Sequence, residues 1–431
     1  MDKTTINLGV AGFGTVGTGL ARIIQENQDW IERRTGKRLI IRKILVRDLT
    51  KVRSLVPGPE AVFTDRLQDL AEDKSIDIVV ELMGGLESAA HLIRQSLENG
   101  KHVVTANKAL LAEQGNELFS LAHEKNLGLY YEASVAGGIP IVQTLRDSLA
   151  GNRITSITGI LNGTANFILS EMTSKGQDFS TALKTATELG YAEADPTLDV
   201  EGMDAAHKLT ILIRLAHGTD YPLKNLPVQG IARVEAMDIA LAAEFGYVLK
   251  LIAQVREKSG HLQAGVFPAL LPMDHILAKV DGPFNSILLS GNAVGPIMLY
   301  GQGAGDLPTG SAVLADIMSL ARDGACIDNT GFREMVLPKA ETVAPDLAVS
   351  RHYFRMTALD KPGVLSAVSG VMGEHNISIA QAVQKPSPEG RDVPIVFLTH
   401  RAQLKAVYHA LKVIDQFDFT TGPTVHYRIL K

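Results

Sequence analysis

Apolar residues in the first third of the chain fall into short runs separated by stretches with helical spacing. Runs typical of buried strands occur at residues 5–10, 39–46, 76–82 and 102–105. Apolar positions recur at a spacing near 3.6 over residues 18–31 and 88–99, which predicts two amphipathic helices. Strands alternating with helices indicate a doubly wound parallel sheet, in which ligands bind at the carboxyl ends of the strands.

A glycine-rich turn follows the first strand directly. The letters A-G-F-G-T-V-G occupy residues 11–17 and lead into the first predicted helix, whose unpaired N–H groups suit phosphate. The glycines permit a tight turn, a close approach of pyrophosphate and close packing of the helix on the strand. Glycines of an ordinary turn are the alternative. The predicted dinucleotide site comprises Gly12, Phe13, Gly14, Thr15, Val16 and Gly17.

The end of the second strand indicates which dinucleotide is bound. An NAD site has Asp or Glu there to hold the ribose 2′-hydroxyl, whereas this strand ends in Val46-Arg47-Asp48. The Arg47 guanidinium suits a 2′-phosphate, and Lys51 is near enough in sequence to help. NADP is therefore favoured over NAD, with the alternative that Asp48 holds the hydroxyl. At the carboxyl ends of the next two strands lie Gly84 and Gly85, and Thr105 and Asn107.

A loop rich in small residues follows the predicted nucleotide domain. In Y-Y-E-A-S-V-A-G-G-I-P-I-V, residues 130–142, Glu132 stands near a glycine pair and a proline, which favours a loop over a strand interior. Its carboxylate and the neighbouring carbonyls are oxygen donors of the kind that a hard cation prefers. A hinge between domains is the alternative, and the two interpretations are compatible.

The densest group of ionisable residues lies at residues 188–214. Five carboxylates fall within twelve positions: Glu193, Asp195, Asp199, Glu201 and Asp204. Asp204 and Lys208 are four apart on a helix predicted at 202–216, so they share a face and can pair. The apolar stripe of this helix makes a buried lysine plausible. A surface salt bridge is an equal alternative on spacing alone.

Composition narrows the function classes. Charged residues make up 21% of the chain and the net charge is −5, with the signs interspersed, so neither nucleic acid nor an anionic membrane surface is an expected partner. No apolar stretch reaches the roughly 18 residues of a membrane span, and no export signal is visible. The single cysteine, Cys326, suits a reducing compartment. We expect a cytoplasmic protein that binds small molecules and forms a homodimer or homotetramer.

Five segments resemble motifs of the homoserine dehydrogenase family, in the family's order. They are G-F-G-T-V-G (12–17), V-V-T-A-N-K (103–108), E-A-S-V-A-G-G-I-P-I (132–141), L-N-G-T-A-N-F-I-L (161–169) and G-Y-A-E-A-D-P-T-L-D-V-E-G-M-D-A-A-H-K-L (190–209). The resemblance implies reversible NAD(P)-dependent reduction of L-aspartate 4-semialdehyde to L-homoserine, in threonine, methionine and isoleucine biosynthesis. A different dehydrogenase on the same scaffold and a non-catalytic amino-acid sensor are the alternatives.

The resemblance also implies roles for individual residues. Lys208 matches the catalytic lysine that gives the developing alkoxide its proton, and Lys108 matches a second active-site lysine near the nicotinamide. The carboxylates placed around the substrate are Glu193, Asp199 and Asp204. Further predicted cofactor residues are Thr105, Lys108 and Gly305. The predicted ligands of a monovalent cation, usually sodium, are Glu132 and the carbonyls of Val135, Gly137 and Ile139. An aldehyde oxygen that becomes an alkoxide needs a positive donor, and a preorganised ammonium such as that of Lys208 would supply both charge and proton.

The C-terminal part resembles the ACT domain, a small amino-acid-binding fold. Its pattern predicts β-α-β-β-α-β, and the matching letters are D-K-P-G-V-L at 360–365 and H-N-I at 375–377. The resemblance implies an amino-acid effector, threonine, that inhibits the enzyme. Gly363 would offer an N–H to the ligand carboxylate, and Asn376 and Gln384 would hold its amino end. A module that only dimerises is the alternative.

These predictions combine into an α/β chain of three domains. Residues 1–135 form a Rossmann-type nucleotide domain that is completed by about 305–330, and residues 136–304 form an α+β catalytic and dimerisation domain. A linker with two prolines covers residues 331–349, and a ferredoxin-like βαββαβ ACT domain covers residues 350–431.

Overall fold

The structure is a computed structural model that describes residues 4–53, 55, 58–325, 328–334, 336–385 and 392–430. Cys326, on which the expectation of a reducing compartment rests, lies outside the described residues.

Strands and helices alternate through the first part of the chain. The strands are β1 (Thr5–Ala11), β2 (Arg38–Leu45), β3 (Val62–Thr64), β4 (Ile78–Glu81), β5 (His102–Thr105), β6 (Leu129–Tyr130), β7 (Ile154–Ile160), β8 (Tyr247–Lys258), β9 (His261–Pro272), β10 (Phe284–Gly291), β11 (Gly295–Gln302), β12 (Val349–Leu359), β13 (Ile379–Gln384), β14 (Asp392–Thr399), β15 (Ala402–Gln403) and β16 (Val425–Ile429). The helices are α1 (Thr15–Glu26), α2 (Gln28–Thr35), α3 (Gln68–Ala71), α4 (Glu87–Glu98), α5 (Lys108–Glu124), α6 (Ile141–Gln143), α7 (Gly163–Lys175), α8 (Phe179–Glu188), α9 (Thr197–Val200), α10 (Met203–His217), α11 (Ala236–Glu244), α12 (Asp306–Asp323), α13 (Val364–Glu374) and α14 (Leu404–Ile414).

The chain divides into two units, each built from three stretches of sequence. The first unit comprises Met1–Gly163, Met203–Leu226 and Pro283–Ala340. The second unit comprises Thr164–Gly202, Pro227–Gly282 and Glu341–Lys431.

A parallel sheet of order β3-β2-β1-β4-β5-β6 forms the centre of the first unit. Its neighbouring strands pair in parallel, and the strand order reverses between β1 and β4. Ile6, Leu8 and Val10 share one face of β1 and are completely buried in a core with α1 and α12, whereas Ala11 packs on the other face with Leu92 of α4. The predicted doubly wound sheet is confirmed, and its reversal point is where such folds bind ligands.

The helix predicted at residues 18–31 is two helices. α1 begins three residues earlier, directly after Gly14, and ends at Glu26, and α2 begins at Gln28. The residue between them, Asn27, adopts φ −115° and ψ 19°, outside the α-helical region. Asparagine has a low helix propensity, and spacing alone gave no sign of this break.

α12 returns the chain to the sheet in the first unit. It packs on α1 so closely that a Cβ at Gly19 would lie 2.2 Å from the Asp306 carbonyl oxygen. Val313, Ile317 and Leu320 of α12 are buried in the same core as β1. The first unit also contains an antiparallel sheet of β7, β10 and β11, and the packed helices α5 and α10.

The second unit contains the predicted β-α-β-β-α-β module, formed by β12, α13, β13, β14, α14 and β16. Its sheet has the order β16-β12-β14-β13, and α13 and α14 share one apolar core with it. β16 also pairs in parallel with β9, which forms a hairpin with β8. α14 begins only at Leu404, because Ala402 and Gln403 pair with Ser350 and Val349 of β12.

No helix in the described part of the chain combines the length and the apolar character that a membrane span requires.

Candidate active site

A cavity of about 1080 Å³ opens at the carboxyl edge of the parallel sheet in the first unit. Its lining includes residues 12–14 after β1, residues 45–48 at the end of β2, and residues 82–88 after β4. The cavity therefore lies at the reversal of strand order, where a doubly wound sheet binds a nucleotide.

The three glycines of the turn have different environments. Gly12 has φ +100°, and a Cβ there would lie 2.6 Å from the Leu82 carbonyl oxygen. A Cβ at Gly17 would lie 2.3 Å from the Gly12 carbonyl oxygen. At Gly14 no heavy atom lies within 4 Å of an ideal Cβ, so the backbone there faces open space. Side chains at 12 and 17 would break the turn, whereas Gly14 leaves room for a ligand.

Three cations stand at one end of this cavity: Arg47, Lys51 and Arg53. Arg53 donates to the carbonyls of Lys51 and Asp48 at 2.7 and 2.6 Å, and its guanidinium lies 4.7 Å from the Phe63 ring centroid. Asp48 Oδ1 accepts the hydroxyl and the N–H of Thr50, and these bonds lower the pKa of Asp48. Arg53 was missed from the sequence, because spacing does not show that the loop turns back toward β2.

The other predicted cofactor residues also lie in the first unit, outside the described lining of this cavity. Thr15, Val16 and Gly17 form the first turn of α1, and Gly305 precedes α12 with φ +131°. The Thr105 hydroxyl donates to Glu81 at 2.6 Å, so it is already used inside the protein. Their contacts with a cofactor stay predictions.

Lys208, Asp204 and Lys108 meet where α10 packs against α5. Lys208 Nζ donates to Asp204 Oδ2 and to the Leu161 carbonyl oxygen, each at 2.7 Å. Lys108 Nζ lies 3.0 Å from Asp204 Oδ1. Two ammonium groups therefore flank one carboxylate, and we call these three residues the catalytic corner.

The catalytic corner is mostly shielded from water. The side chains of Lys208 and Asp204 are 9% and 6% exposed, whereas that of Lys108 is 41% exposed. Burial raises the pKa of Asp204, but the lysine charges and hydrogen bonds from Lys208 and Asn162 outweigh it and hold the pKa well below its ordinary value. The 204–208 pair is thus a buried ion pair with an ionised carboxylate, and the surface salt bridge is excluded.

Three further residues lie beside the catalytic corner, and two of them, Asn285 and His207, had no predicted role. Asn162 donates to Asp204 Oδ2 at 2.8 Å, and Asn285, which is fully buried, donates to the Leu161 carbonyl at 3.0 Å. His207 is buried next to Lys208, and burial lowers its pKa while the Asp204 charge acts against this. Asn162 belongs to the L-N-G-T-A-N segment, but nothing in the sequence links Asn285 to a carbonyl 124 positions away.

The predicted substrate carboxylates Glu193 and Asp199 belong to the second unit. Glu193 is exposed and precedes α9, and Asp199 is half-buried within α9. Their role stays a prediction.

The loop around Glu132 is buried and its carboxylate is held by backbone donors. Glu132 Oε1 and Oε2 accept the N–H groups of Val142 and Gln143, both at 2.8 Å, at the start of α6. Its own N–H donates to Asp316 Oδ2 at 2.7 Å. Burial raises the pKa of Glu132 to about 6 and that of Asp316 to about 8. Each Glu132 oxygen keeps a lone pair for a further ligand.

The remaining predicted cation ligands are also buried. Ala136 and Gly137 both adopt left-handed backbone angles, φ +55° and +53°, which turn the chain sharply between Val135 and Ile139. The Ile139 carbonyl accepts the Ile141 N–H at 2.8 Å. One carboxylate among carbonyl oxygens is a donor set that fits a hard monovalent cation.

In the second unit a cavity of about 240 Å³ lies at the N-terminus of α13. Gly363 and Gln384 line it, and Gln384 Nε2 donates to Asp360 Oδ1 at 3.2 Å. Among the described residues no side chain caps α13, so the N–H groups of its first turn suit a carboxylate. Asn376, with φ +56°, lies beyond the opposite end of α13, so the structure does not bring it to the other two.

Three family models match the chain in succession. The NAD-binding domain of homoserine dehydrogenase matches residues 12–132, homoserine dehydrogenase matches residues 140–318, and the ACT domain matches residues 352–416. A homoserine dehydrogenase of Neisseria gonorrhoeae is 42% identical over 430 residues, which cover 98% of each chain. The chain belongs to the homoserine dehydrogenase family. It is therefore an oxidoreductase with an NAD(P)-binding domain, and a non-catalytic sensor is excluded.

Solved structures of homoserine dehydrogenases have the same fold. One from Thiobacillus denitrificans aligns with a TM-score of 0.93 and 41% identity, over 99% of this chain and 98% of that one. A hyperthermophilic archaeal homoserine dehydrogenase in complex with NADPH aligns with a TM-score of 0.62 and 30% identity, over 73% of this chain and 97% of that one. The predicted fold class, including the ACT domain, is confirmed.

Proposed function

We propose that the enzyme reduces L-aspartate 4-semialdehyde to L-homoserine with NADPH, reversibly, and that the catalytic corner handles the proton. The observation that supports this most strongly is the buried Lys208–Asp204–Lys108 arrangement, with Lys208 Nζ held at 2.7 Å by two acceptors. The product belongs to threonine, methionine and isoleucine biosynthesis, which would place the enzyme in the cytoplasm. The bound dinucleotide supplies the hydride.

Lys208 is the proposed proton donor to the aldehyde oxygen. As negative charge grows on that oxygen, an ammonium in a fixed position stabilises it without reorganisation and then transfers a proton. Asp204 and the Leu161 carbonyl orient the ammonium, and Asn285 holds that carbonyl. Lys108 adds a second positive charge on the other oxygen of Asp204.

We assign NADP preference to the cations at the end of the cofactor cavity. Arg47, Lys51 and Arg53 line the same end, and a 2′-phosphate carries more negative charge than a hydroxyl. Asp48, the alternative partner for a 2′-hydroxyl, already accepts two hydrogen bonds from Thr50. NAD would bind without the phosphate contacts and therefore more weakly.

The substrate is a zwitterion, so its site must offer charges of both signs. Glu193 and Asp199 are the proposed partners of its ammonium group. We also propose that Glu132 and the carbonyls of Val135, Gly137 and Ile139 bind sodium, because a buried carboxylate with a raised pKa gains most from a cation.

Threonine is the proposed inhibitor, bound in the cavity at the start of α13. The Gly363 N–H and the first turn of the helix would hold its carboxylate, and Gln384 its amino group. Asn376 lies away from this cavity, so a contact from it would need a second copy of the chain, in line with the expected homodimer or homotetramer.

Initial rates test these assignments together. With aspartate 4-semialdehyde as substrate and at low cofactor concentration, the purified enzyme should oxidise NADPH faster than it oxidises NADH. The rate should be higher in a buffer that contains sodium than in a sodium-free buffer. Millimolar threonine should slow the reaction, and Gln384→Leu should weaken this inhibition without changing the uninhibited rate. No oxidation of either cofactor with this aldehyde would refute the reaction.

A further inference from the structure

Glu81 is a buried carboxylate that none of the assignments above uses. It is the last residue of β4 and is completely buried, and it is the one charged residue of this otherwise apolar strand. Burial raises the pKa of Glu81, while hydrogen bonds from Thr105, Met83 and Gly84 act in the opposite direction. Burying a carboxylate is costly unless its oxygens are well bonded, so the partners of Glu81 indicate its purpose.

One oxygen of Glu81 holds the turn that lines the cofactor cavity. Oε1 accepts the N–H groups of Met83 at 2.8 Å and of Gly84 at 3.2 Å. Gly84 and Gly85 both adopt left-handed angles, φ +71° and +74°, and both line the cavity. No heavy atom lies within 4 Å of an ideal Cβ at either position. This carboxylate oxygen therefore holds two backbone N–H groups of the turn that lines the cavity.

The other oxygen leads to the start of α5. Oε2 accepts the Thr105 hydroxyl at 2.6 Å, and Thr105 Oγ1 accepts the Asn107 N–H at 3.0 Å. Asn107 caps α5 by accepting the Leu110 N–H at 3.1 Å, and its Nδ2 donates to the Gly85 carbonyl at 2.7 Å. Lys108 is the first residue of α5. The hydrogen bonds thus join the cofactor turn and Lys108 to one carboxylate.

We propose that Glu81 is a positioning residue that sets the cofactor turn at residues 83–85 and, through Thr105 and Asn107, the start of α5 that carries Lys108. It acts through these groups and not on the reacting atoms. The inference depends on the proposed roles of the cavity and of Lys108 in the reaction. Oε1 bonds to the turn directly, whereas Oε2 reaches the turn and α5 only through Thr105 and Asn107. Loss of the whole carboxylate should therefore affect the cofactor more than loss of the Thr105 hydroxyl.

The test uses the full-length enzyme with two readouts. NADPH affinity is measured from nicotinamide fluorescence without aldehyde, and kcat is measured with saturating substrates. Thr105→Val removes the hydroxyl at nearly constant volume and should lower kcat about tenfold, while NADPH Kd should rise less than in Glu81→Ala because Oε1 still holds the turn. Thr105→Ser keeps the hydroxyl and should retain most of the wild-type kcat. Glu81→Ala should raise NADPH Kd about tenfold and lower kcat.

Shared contacts give a further check, because mutations in one network are not additive. The double variant Glu81→Ala, Thr105→Val should be no slower than Glu81→Ala alone. If Glu81→Ala does not fold, Glu81→Met replaces it, because methionine keeps a similar side-chain volume but offers no carboxylate oxygen to the turn or to Thr105. This variant should show the same two losses as Glu81→Ala, a raised NADPH Kd and a reduced kcat.

Three results would overturn the inference. These are an equal kcat in Thr105→Val and Thr105→Ser, a wild-type NADPH Kd in the Glu81 variant that folds (Glu81→Ala or Glu81→Met), and a wild-type kcat in that same variant. Lys108→Met separates this failure from a failure of the proposed function. A wild-type kcat in Lys108→Met would remove the role of Lys108 itself, whereas a slow Lys108→Met beside a fast Thr105→Val would remove only the connection through Glu81.

Discussion

Two groups of positive charge in the first unit are held in opposite ways. At the cofactor cavity Arg47 and Lys51 are exposed, and Arg53 bonds to backbone carbonyls. In the catalytic corner Lys208 is buried and Lys108 half-exposed, and both contact one buried carboxylate. Exposed cations bind an anion but are weakened by salt. A cation fixed by buried partners is already oriented when charge develops nearby. The cations at the cofactor cavity are therefore suited to binding an anionic ligand, and those of the catalytic corner are suited to chemistry.

The largest expected effect is in the catalytic corner. Lys208→Met should lower kcat about a thousandfold, because both a positive charge and a proton donor are lost. NADPH affinity should stay within about twofold, since Arg47 and its neighbours are unchanged. Steady-state rates and nicotinamide fluorescence measure the two quantities.

Lys184→Met is the matched control. Lys184 also forms an i,i+4 pair, with Glu188 at 3.9 Å, but its side chain is 78% exposed. It should leave kcat unchanged, and a similar loss in both variants would mean that the buried geometry is irrelevant.

Asp204→Asn should come next in size, with kcat lowered about a hundredfold. The neutral amide no longer balances the two ammonium groups, so Lys208 loses its orientation. Breaking a buried ion pair on one side typically costs about 3 kcal/mol of stability. Thermal unfolding should show this loss, whereas Glu188→Gln, on the exposed pair, should not. A wild-type kcat in Asp204→Asn would contradict the positioning role of the carboxylate.

Arg47→Gln should have a smaller effect, confined to the phosphorylated cofactor. We expect NADPH Kd to rise about tenfold and NADH Kd to stay unchanged, because one charged hydrogen-bond donor to the 2′-phosphate is lost. The difference should shrink at high salt. Arg38→Gln, at the far end of β2, is the control. Equal losses for both cofactors would assign Arg47 a role other than recognition of the phosphate.

The weakest effect that we expect is a difference between NADPH and NADH in how their binding affinity depends on pH. A phosphate monoester loses part of its charge near its second pKa of about 6, so NADPH affinity should weaken from pH 7.5 to 5 while NADH affinity should not.

The pKa of Asp204 is far below its ordinary value, so its stabilising contribution is fully present above about pH 4 and is lost only as pH falls further. The stability difference between wild type and Asp204→Asn should therefore be constant from pH 5 to 8. A change across that range would show that Asp204 titrates there.

The sequence predicted the parts whose causes are local. Hydrophobic runs and the G-x-G-x-x-G turn placed β1, the turn and the parallel sheet, because those depend on neighbouring residues and on steric limits of glycine. The i,i+4 spacing predicted that Asp204 and Lys208 can pair, and the structure shows the pair buried. Helix ends were less accurate, as the break at Asn27 shows.

The sequence did not predict contacts between segments that lie far apart in the chain. Lys108 reaches Asp204 only because α5 and α10 pack together, and Asn285 meets Leu161 through two neighbouring strands. In the sequence Glu81 is an acidic residue near the end of an apolar run. This exception to the pattern is visible, but hydrophobic periodicity gives no reason for it. Charge partners in the folded state decide whether such a residue is structural or functional, and spacing alone cannot show them.

A structure of the enzyme with NADPH and homoserine bound would show whether Lys208 reaches the reacting oxygen. We predict that the carbinol oxygen of homoserine lies within hydrogen-bond distance of Lys208 Nζ, about 3 Å, and faces the nicotinamide. If that oxygen were bound by other groups while Lys208 remained bonded to Asp204 and Leu161, out of reach of the substrate, Lys208 would not be the proton donor.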